Sequence, residues 1–161
     1  MHFNDVRNRP VVSLADAERL GFVDDILIDT ERSTVVGFVI RHGGIVTHHE
    51  AMLLTDVRAI GEDALTVADA SKLNARKKFA ELQAARTGSQ LFGSRVLDES
   101  GSQIGKLADV DADFTSGAVQ SWILSDNVLQ RLRGEVHTVS VGAVKSIGDG
   151  LVVVHDNTPV A

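Results

Sequence analysis

The chain has 161 residues, 43% of them hydrophobic and 24% charged, a balance that excludes wholesale disorder. It has no cysteine, so a disulfide framework, a thiolate-ligated zinc or iron–sulfur site and a thiol nucleophile are all excluded. Six Phe, one Trp and no Tyr offer few stacking platforms for single-stranded nucleic acid, and the net charge of −6 disfavours a phosphate-binding surface over the whole chain.

Taken from the start, MHFNDVRNRP contains no apolar run of the signal-peptide kind. No later run approaches the ~18 apolar residues of a spanning helix, so a soluble, cytoplasmic protein is expected. Ile26–Asp29 and Val35–Ile40 are rich in β-branched residues and read as strands, with the polar Thr30–Thr34 as the turn between them. Met52–Leu54 and Leu65–Val67 supply further short strands, with Gly61-Glu62-Asp63 as the turn before the last.

The next segment differs in kind. Residues 69–90 carry five Lys/Arg against two Asp/Glu, whereas residues 1–68 carry six against eleven and residues 91–161 five against nine. Asp69 through Arg86 is rich in helix formers, with Leu73, Phe79 and Leu82 as a modest apolar stripe. Asp69 or Ser71 suits the start and Gly88 the stop, which predicts one α-helix near residues 71–86. Such a helix would run roughly 22 Å, enough to pass over one domain and deliver the chain to the next.

Beyond it the first pattern returns. Leu20-Gly21-Phe22-Val23-Asp24-Asp25-Ile26 faces Ile104-Gly105-Lys106-Leu107-Ala108-Asp109-Val110, and the offset of 84 continues without a gap to Ile40 and Leu124. Four of those 21 positions are identical, Gly21/Gly105, Asp25/Asp109, Asp29/Asp113 and Val35/Val119, and Phe38/Trp122, Val39/Ile123 and Ile40/Leu124 exchange one apolar residue for another. Val57 to Glu62 then matches Val144 to Asp149 at offset 87. Two blocks in one order mark a tandem duplication. Thr138–Val141 and Leu151–Val154 complete the second copy. Short strands at this spacing predict a mainly β protein of two small barrels, residues 5–68 and 90–156, joined by a helical linker over 69–89.

The glycine followed by Val/Leu-x-Asp-hydrophobic, the acidic turn, Val35-Val36-Gly37-Phe38-Val39-Ile40 and the closing Ile60-Gly61-Glu62-Asp63 together resemble the PRC-barrel domain. The second copy keeps Ile104 to Val110 but has Ser121-Trp122 in place of Gly37-Phe38. That family includes the cytoplasmic part of the photosynthetic reaction-centre H subunit and the C-terminal domain of the ribosome maturation factor RimM. The resemblance implies a fold and no catalytic residues or cofactor.

Candidate chemistry is sparse. Asp109-x-Asp111-x-Asp113 looks like the start of a calcium loop, but Phe114 and Gln120 stand where that loop needs Gly and Glu. His48-His49-Glu50 is the densest metal-capable set; His48 and Glu50 share a strand face, but two ligands do not close a site and the second copy has no equivalent. The basic cluster Lys72, Arg76, Lys77 and Lys78 reads either as a contact for phosphate or as a solvated face. Arg58/Lys145 recurs and reads as turn support. In Val35–Ile40 simple alternation places Val35 and Val39 on one face and Val36, Phe38 and Ile40 on the other, both apolar. Phe38 and Trp122 are therefore expected either in each barrel's own core or under the other barrel, the helix or a second chain. The barrels are expected to pack on one another through these strands, with Phe38, Ile40, Trp122 and Leu124 as contact residues, and a homodimer is expected on the same ground.

The expected function is a non-enzymatic binding or adaptor module that presents barrel surfaces to a protein partner. The alternative is an RNA-processing or ribosome-associated factor that uses Lys72, Arg76 and Lys77, by analogy with RimM.

Overall fold

The computed structural model describes residues 1–125 and 137–156. A one-turn helix α1 (Phe3–Val6) leads into β1 (Pro10–Ser13), β2 (Arg19–Asp29), β3 (Thr34–His42), β4 (His48–Leu53), β5 (Val57–Ile60) and β6 (Leu65–Val67). A linker carries the chain to β7 (Arg86–Thr87) and a second one-turn helix, α2 (Gly88–Leu91). There follow β8 (Arg95–Asp98), β9 (Gln103–Ala112), β10 (Val119–Ser125), β11 (His137–Ser140), β12 (Val144–Ile147) and β13 (Leu151–Val154). The strand order is β4-β3-β2-β1-β6-β5 in copy one and β11-β10-β9-β8-β13-β12 in copy two, one topology built twice. The protein is mainly β, with two half-barrel-like sheets.

Irregularities repeat with the strands. Leu20, Asp24, Val36 and Arg58 are each an extra residue in a ladder of copy one. Ile104, Ala108, Gln120 and Lys145 are the extra residues of copy two, at the same offsets of 84 and 87. A bulge re-phases the in–out alternation of its strand and sharpens its bend, which is how strands this short curve around a core. The expected alternation in β3 is corrected on this ground. The bulge at Val36 puts Val35 on the same inner side as Phe38 and Ile40, while Val36 and Val39 face outward.

The linker is not an α-helix. It forms three 3-10 turns, Ala70–Lys72, Arg76–Lys78 and Ala80–Leu82. Asp69 does cap the first turn, accepting from Ser71 N at 2.8 Å. Tertiary contacts then override helix propensity. Asn74 exchanges two backbone hydrogen bonds with Ala51 on β4, at 2.7 and 3.1 Å. The Arg76 guanidinium donates to the carbonyls of Leu82 and Ala85, and Gln83 Nε2 donates to those of Arg76 and Phe79. These bonds serve carbonyls that a helix would have paired internally. Of the linker's apolar residues, Phe79, Leu82 and Ala85 pack on the outward face of copy one, against Leu27, Val36, Val39, Ala51 and Leu53, while Leu73 joins the main core. Burying a leucine such as Leu82 is worth about 1.5–3 kcal/mol. Gly88, expected as a helix stop, opens α2 instead, behind a capping box of Thr87 and Gln90.

The two copies share one apolar core through a pseudo-two-fold axis. Val35 N donates to Gly117 O at 2.7 Å and Val119 N to Ser33 O at 3.0 Å, so each bond is the other displaced by 84 residues. Thr34 and Ala118 pair across the centre. The turn residues there are left-handed in both copies, Gly117 with φ 85° and Ser33 with φ 50°; only Gly117 lies so close to Val35 O that a Cβ would sit 2.6 Å from it. Phe38 of copy one lies 5.7 Å from Phe114 of copy two between ring centroids, and Phe3 lies 6.4 Å from both Phe38 and Phe92.

The helices cross over. β7 pairs with Leu27 and Ile28 of β2, and at matching positions His2 bridges to Asp111 on β9 while Met1 exchanges hydrogen bonds with Ala112. Each copy's leading helix thus docks on the central strand of the other. This explains the repeated aspartates. Asp25 accepts from Ser89 N at 3.1 Å and Ser89 Oγ at 2.6 Å on α2, while Asp109 accepts from Asn4 N at 3.2 Å on α1. Each also accepts from the N–H of the next residue, Ile26 or Val110, at 2.8 Å.

Candidate functional site

Residues expected at a contact with a partner lie inside. Phe38, Ile40, Trp122 and Leu124 are all buried in the shared core, and Trp122 also lines one of the clefts between the copies. The outward apolar face of β3, which motivated a homodimer, is covered by the linker within the chain. In the basic cluster, Lys72 Nζ lies 3.9 Å from Asp56 and Arg76 is spent on linker carbonyls. Lys77 and Lys78 are exposed.

The histidines sit at the far end of copy one. His42 Nε2 lies 2.8 Å from Glu50 Oε1, without hydrogen-bond alignment, and the His42 and His48 rings stack at 5.6 Å. His49 Nε2 is 3.3 Å from Asp24 instead. Among the described residues no three His, Asp or Glu side chains converge as a metal site.

Concave surface gathers along the seam between the copies: one cleft of about 620 Å³ lies beside α1 and Asp109, and two others form a matched pair. The first of that pair, of about 510 Å³, is lined by Leu54, Val57, Arg58 and Ile60 of copy one and by Asp113 and Phe114 of copy two. The second, of about 540 Å³, is lined by Val141, Val144, Lys145 and Ile147 of copy two and by Asp29 and Thr30 of copy one. These sets correspond residue by residue, at offset 87 for the first four and 84 for the last two. One cleft is the pseudo-symmetric image of the other. Each runs beside a strand at the end of its sheet order, β5 or β12, which pairs on one side only among the described residues.

A bulge places one cation in each cleft, and this is what the turn-support reading of Arg58 and Lys145 missed; their recurrence was the available signal. The two differ in company. Lys145 Nζ meets Glu99 Oε1 at 2.5 Å, and that hydrogen bond, with the Asp156 N–H, holds the Glu99 carboxyl below its ordinary range and raises Lys145. Arg58 is exposed and has no hydrogen bond or ion pair with any described residue. Across the first cleft, the Asp113 carboxylate accepts from Thr115 N at 2.8 Å and Ser116 N at 3.3 Å, which holds its pKa low. Asp109, nearer the helix dock, is pushed the other way: burial raises its carboxyl against the bonds from Val110 N and Asn4 N.

No helix among the described residues is long and apolar enough to cross a membrane. The sequence profile of the PRC-barrel domain matches residues 1–73 and again residues 85–157. A search of curated proteins finds no match. With the profile matching both copies, and the topology, bulges and cross-docking helices repeating between them, the chain belongs to the PRC-barrel domain family as a tandem of two such domains.

Proposed function

We propose that this protein is a non-enzymatic binding module that engages a protein partner through the seam between its two barrels. The observation that supports this reading is the pair of clefts, each beside a strand that pairs on one side only among the described residues, the arrangement that accepts an added strand. The clefts combine apolar floors with cations at their rims, as recognition surfaces do.

A ribosome-linked or RNA-processing role is the second reading, and the exposed Lys77 and Lys78 favour it. Two cations supply little of the phosphate neutralisation that such binding needs. Affinity capture with the intact chain, followed by nuclease treatment and mass spectrometry, separates the two. The binding-module reading expects a protein partner retained after nuclease. Capture of ribosomal particles, lost on nuclease treatment or in high salt, would support the RNA reading instead.

A further inference from the structure

The duplication supplies an internal control for the two cleft cations. Where copy two has Lys145, the chain also supplies an acid, Glu99, which lies one residue past β8. Copy one places Leu14 at the corresponding position, one residue past β1, and Leu14 is 56% exposed. Arg58 therefore keeps the bulge geometry of Lys145 but has lost the acid that neutralises it. The same cleft has an apolar floor in Leu54, Val57, Ile60 and Phe114, and all of β5, which pairs on one side only among the described residues, lines it.

We infer that the first cleft binds an extended acidic segment of a partner protein, which adds as a strand beside β5 and sets a carboxylate against Arg58. This rests on the binding-module reading and names the site and the chemistry of what occupies it. An extended segment fits because strand addition satisfies the partner's backbone and alternates its side chains between cleft and solvent. The inward side chains meet the apolar floor, and a carboxylate matches the unpaired guanidinium, which offers five donors in a planar fork. The Asp113 carboxylate on the opposite wall keeps its charge but accepts from Thr115 N and Ser116 N, and the Met1 ammonium pairs with Asp111 at 2.7 Å, so Arg58 is the cation of the cleft that has no partner among the described residues. The Lys145 counterpart is already paired with Glu99, which lies outside the lining of the second cleft.

The test uses the intact chain and a fluorescent peptide alternating valine and glutamate, with the valine–lysine version as control. Fluorescence anisotropy measures affinity, and amide chemical shifts locate the contact. The inference expects the glutamate peptide to bind, to shift amides of Val57–Ile60, and to lose roughly tenfold or more in affinity with Arg58→Glu. Arg58→Gln, which removes charge without reversing it, should fall between. Lys145→Glu should leave binding within about twofold, as the control in the other cleft. No binding at about 1 mM peptide, equal binding of the lysine peptide, or affinity indifferent to Arg58→Glu would overturn it. Repeating the affinity capture with Arg58→Glu separates this from the broader reading. A protein partner still captured by that variant would leave the binding module standing and remove this site. Capture of nucleic acid alone would remove both.

Discussion

The two copies share a topology, four bulge positions and a reciprocal helix dock, but their outward faces have diverged. In copy one Leu27, Val36, Val39, Ala51 and Leu53 are covered by the linker; the same positions in copy two are Asp111, Gln120, Ile123, Thr138 and Ser140, so all but Ile123 have turned polar. The inner positions instead exchange apolar for apolar, Phe38 for Trp122 and Ile40 for Leu124. A barrel wall is thus specified by its inner face and its bulges, and the outer face adapts to what lies over it. One copy received a covering segment of its own chain and became apolar where that segment rests.

The largest effect is expected where the copies do not differ. Phe38→Ala and Trp122→Ala should each cost about 3–5 kcal/mol in denaturant unfolding, because both rings are buried in the shared core. A cost below ~1 kcal/mol for either would show that its copy's inner face is not packed as described.

The linker gives the sharpest contrast. Leu82→Ala should destabilise by about 2 kcal/mol or more, since Leu82 is fully buried on copy one. Gln120→Ala, on the exposed counterpart in copy two, should stay within ~0.5 kcal/mol. Equal effects would erase the asymmetry. At Gly37 a Cβ would stand 2.4 Å from Met52 O and 3.2 Å from Leu82 Cδ2, whereas copy two carries Ser121 at that position. Gly37→Ser should therefore cost about 1–3 kcal/mol, and Ser121→Gly about 0.5–1 kcal/mol. The reverse order in thermal melts would contradict the close packing of the linker.

The smallest effect concerns the repeated aspartates and depends on pH. Burial raises the folded-state pKa of Asp109, so the folded chain holds that proton more firmly than the unfolded chain does. Its favourable contribution is complete below the unfolded value and is lost as pH rises through the folded one. Asp109→Asn keeps an acceptor for Asn4 N and Val110 N but removes the titration. The variant should gain on the parent protein between about pH 3 and neutrality, read from melting temperatures at both ends. A relative loss over that range would reverse the sign and refute the burial argument.

The duplication, the short strands and the barrel class were legible because glycines, turns and β-branched runs recur at fixed offsets. The linker was not. Leu73, Phe79 and Leu82 suit a weak helical stripe equally well, and it is the edge of β4, which draws Asn74 into pairing, together with the Arg76 and Gln83 side-chain bonds and the burial of Leu82, that decides against a helix. The outward turn of Val36 was equally hidden, since a bulge changes no residue type. Asp25 and Asp109 stood out as repeated acids, but that each serves the other copy's helix did not. That exchange depends on how two barrels sit together, which no local pattern records. Thr87 and Gln90 carry the spacing of a capping box, a signal that the reading of Gly88 as a helix stop passed over.

The central claim is that the two copies fold around one core. Trp122, the only tryptophan, lies in copy two and reports on it, while Leu82 packs on copy one. Denaturant unfolding of the parent protein and of Leu82→Ala should be followed by Trp122 fluorescence and by far-ultraviolet circular dichroism. The account predicts coincident single transitions in both proteins, with the variant's fluorescence midpoint displaced as far as its dichroism midpoint. A Trp122 transition that stays in place while the dichroism splits in two would show two independently folding barrels, and would contradict it.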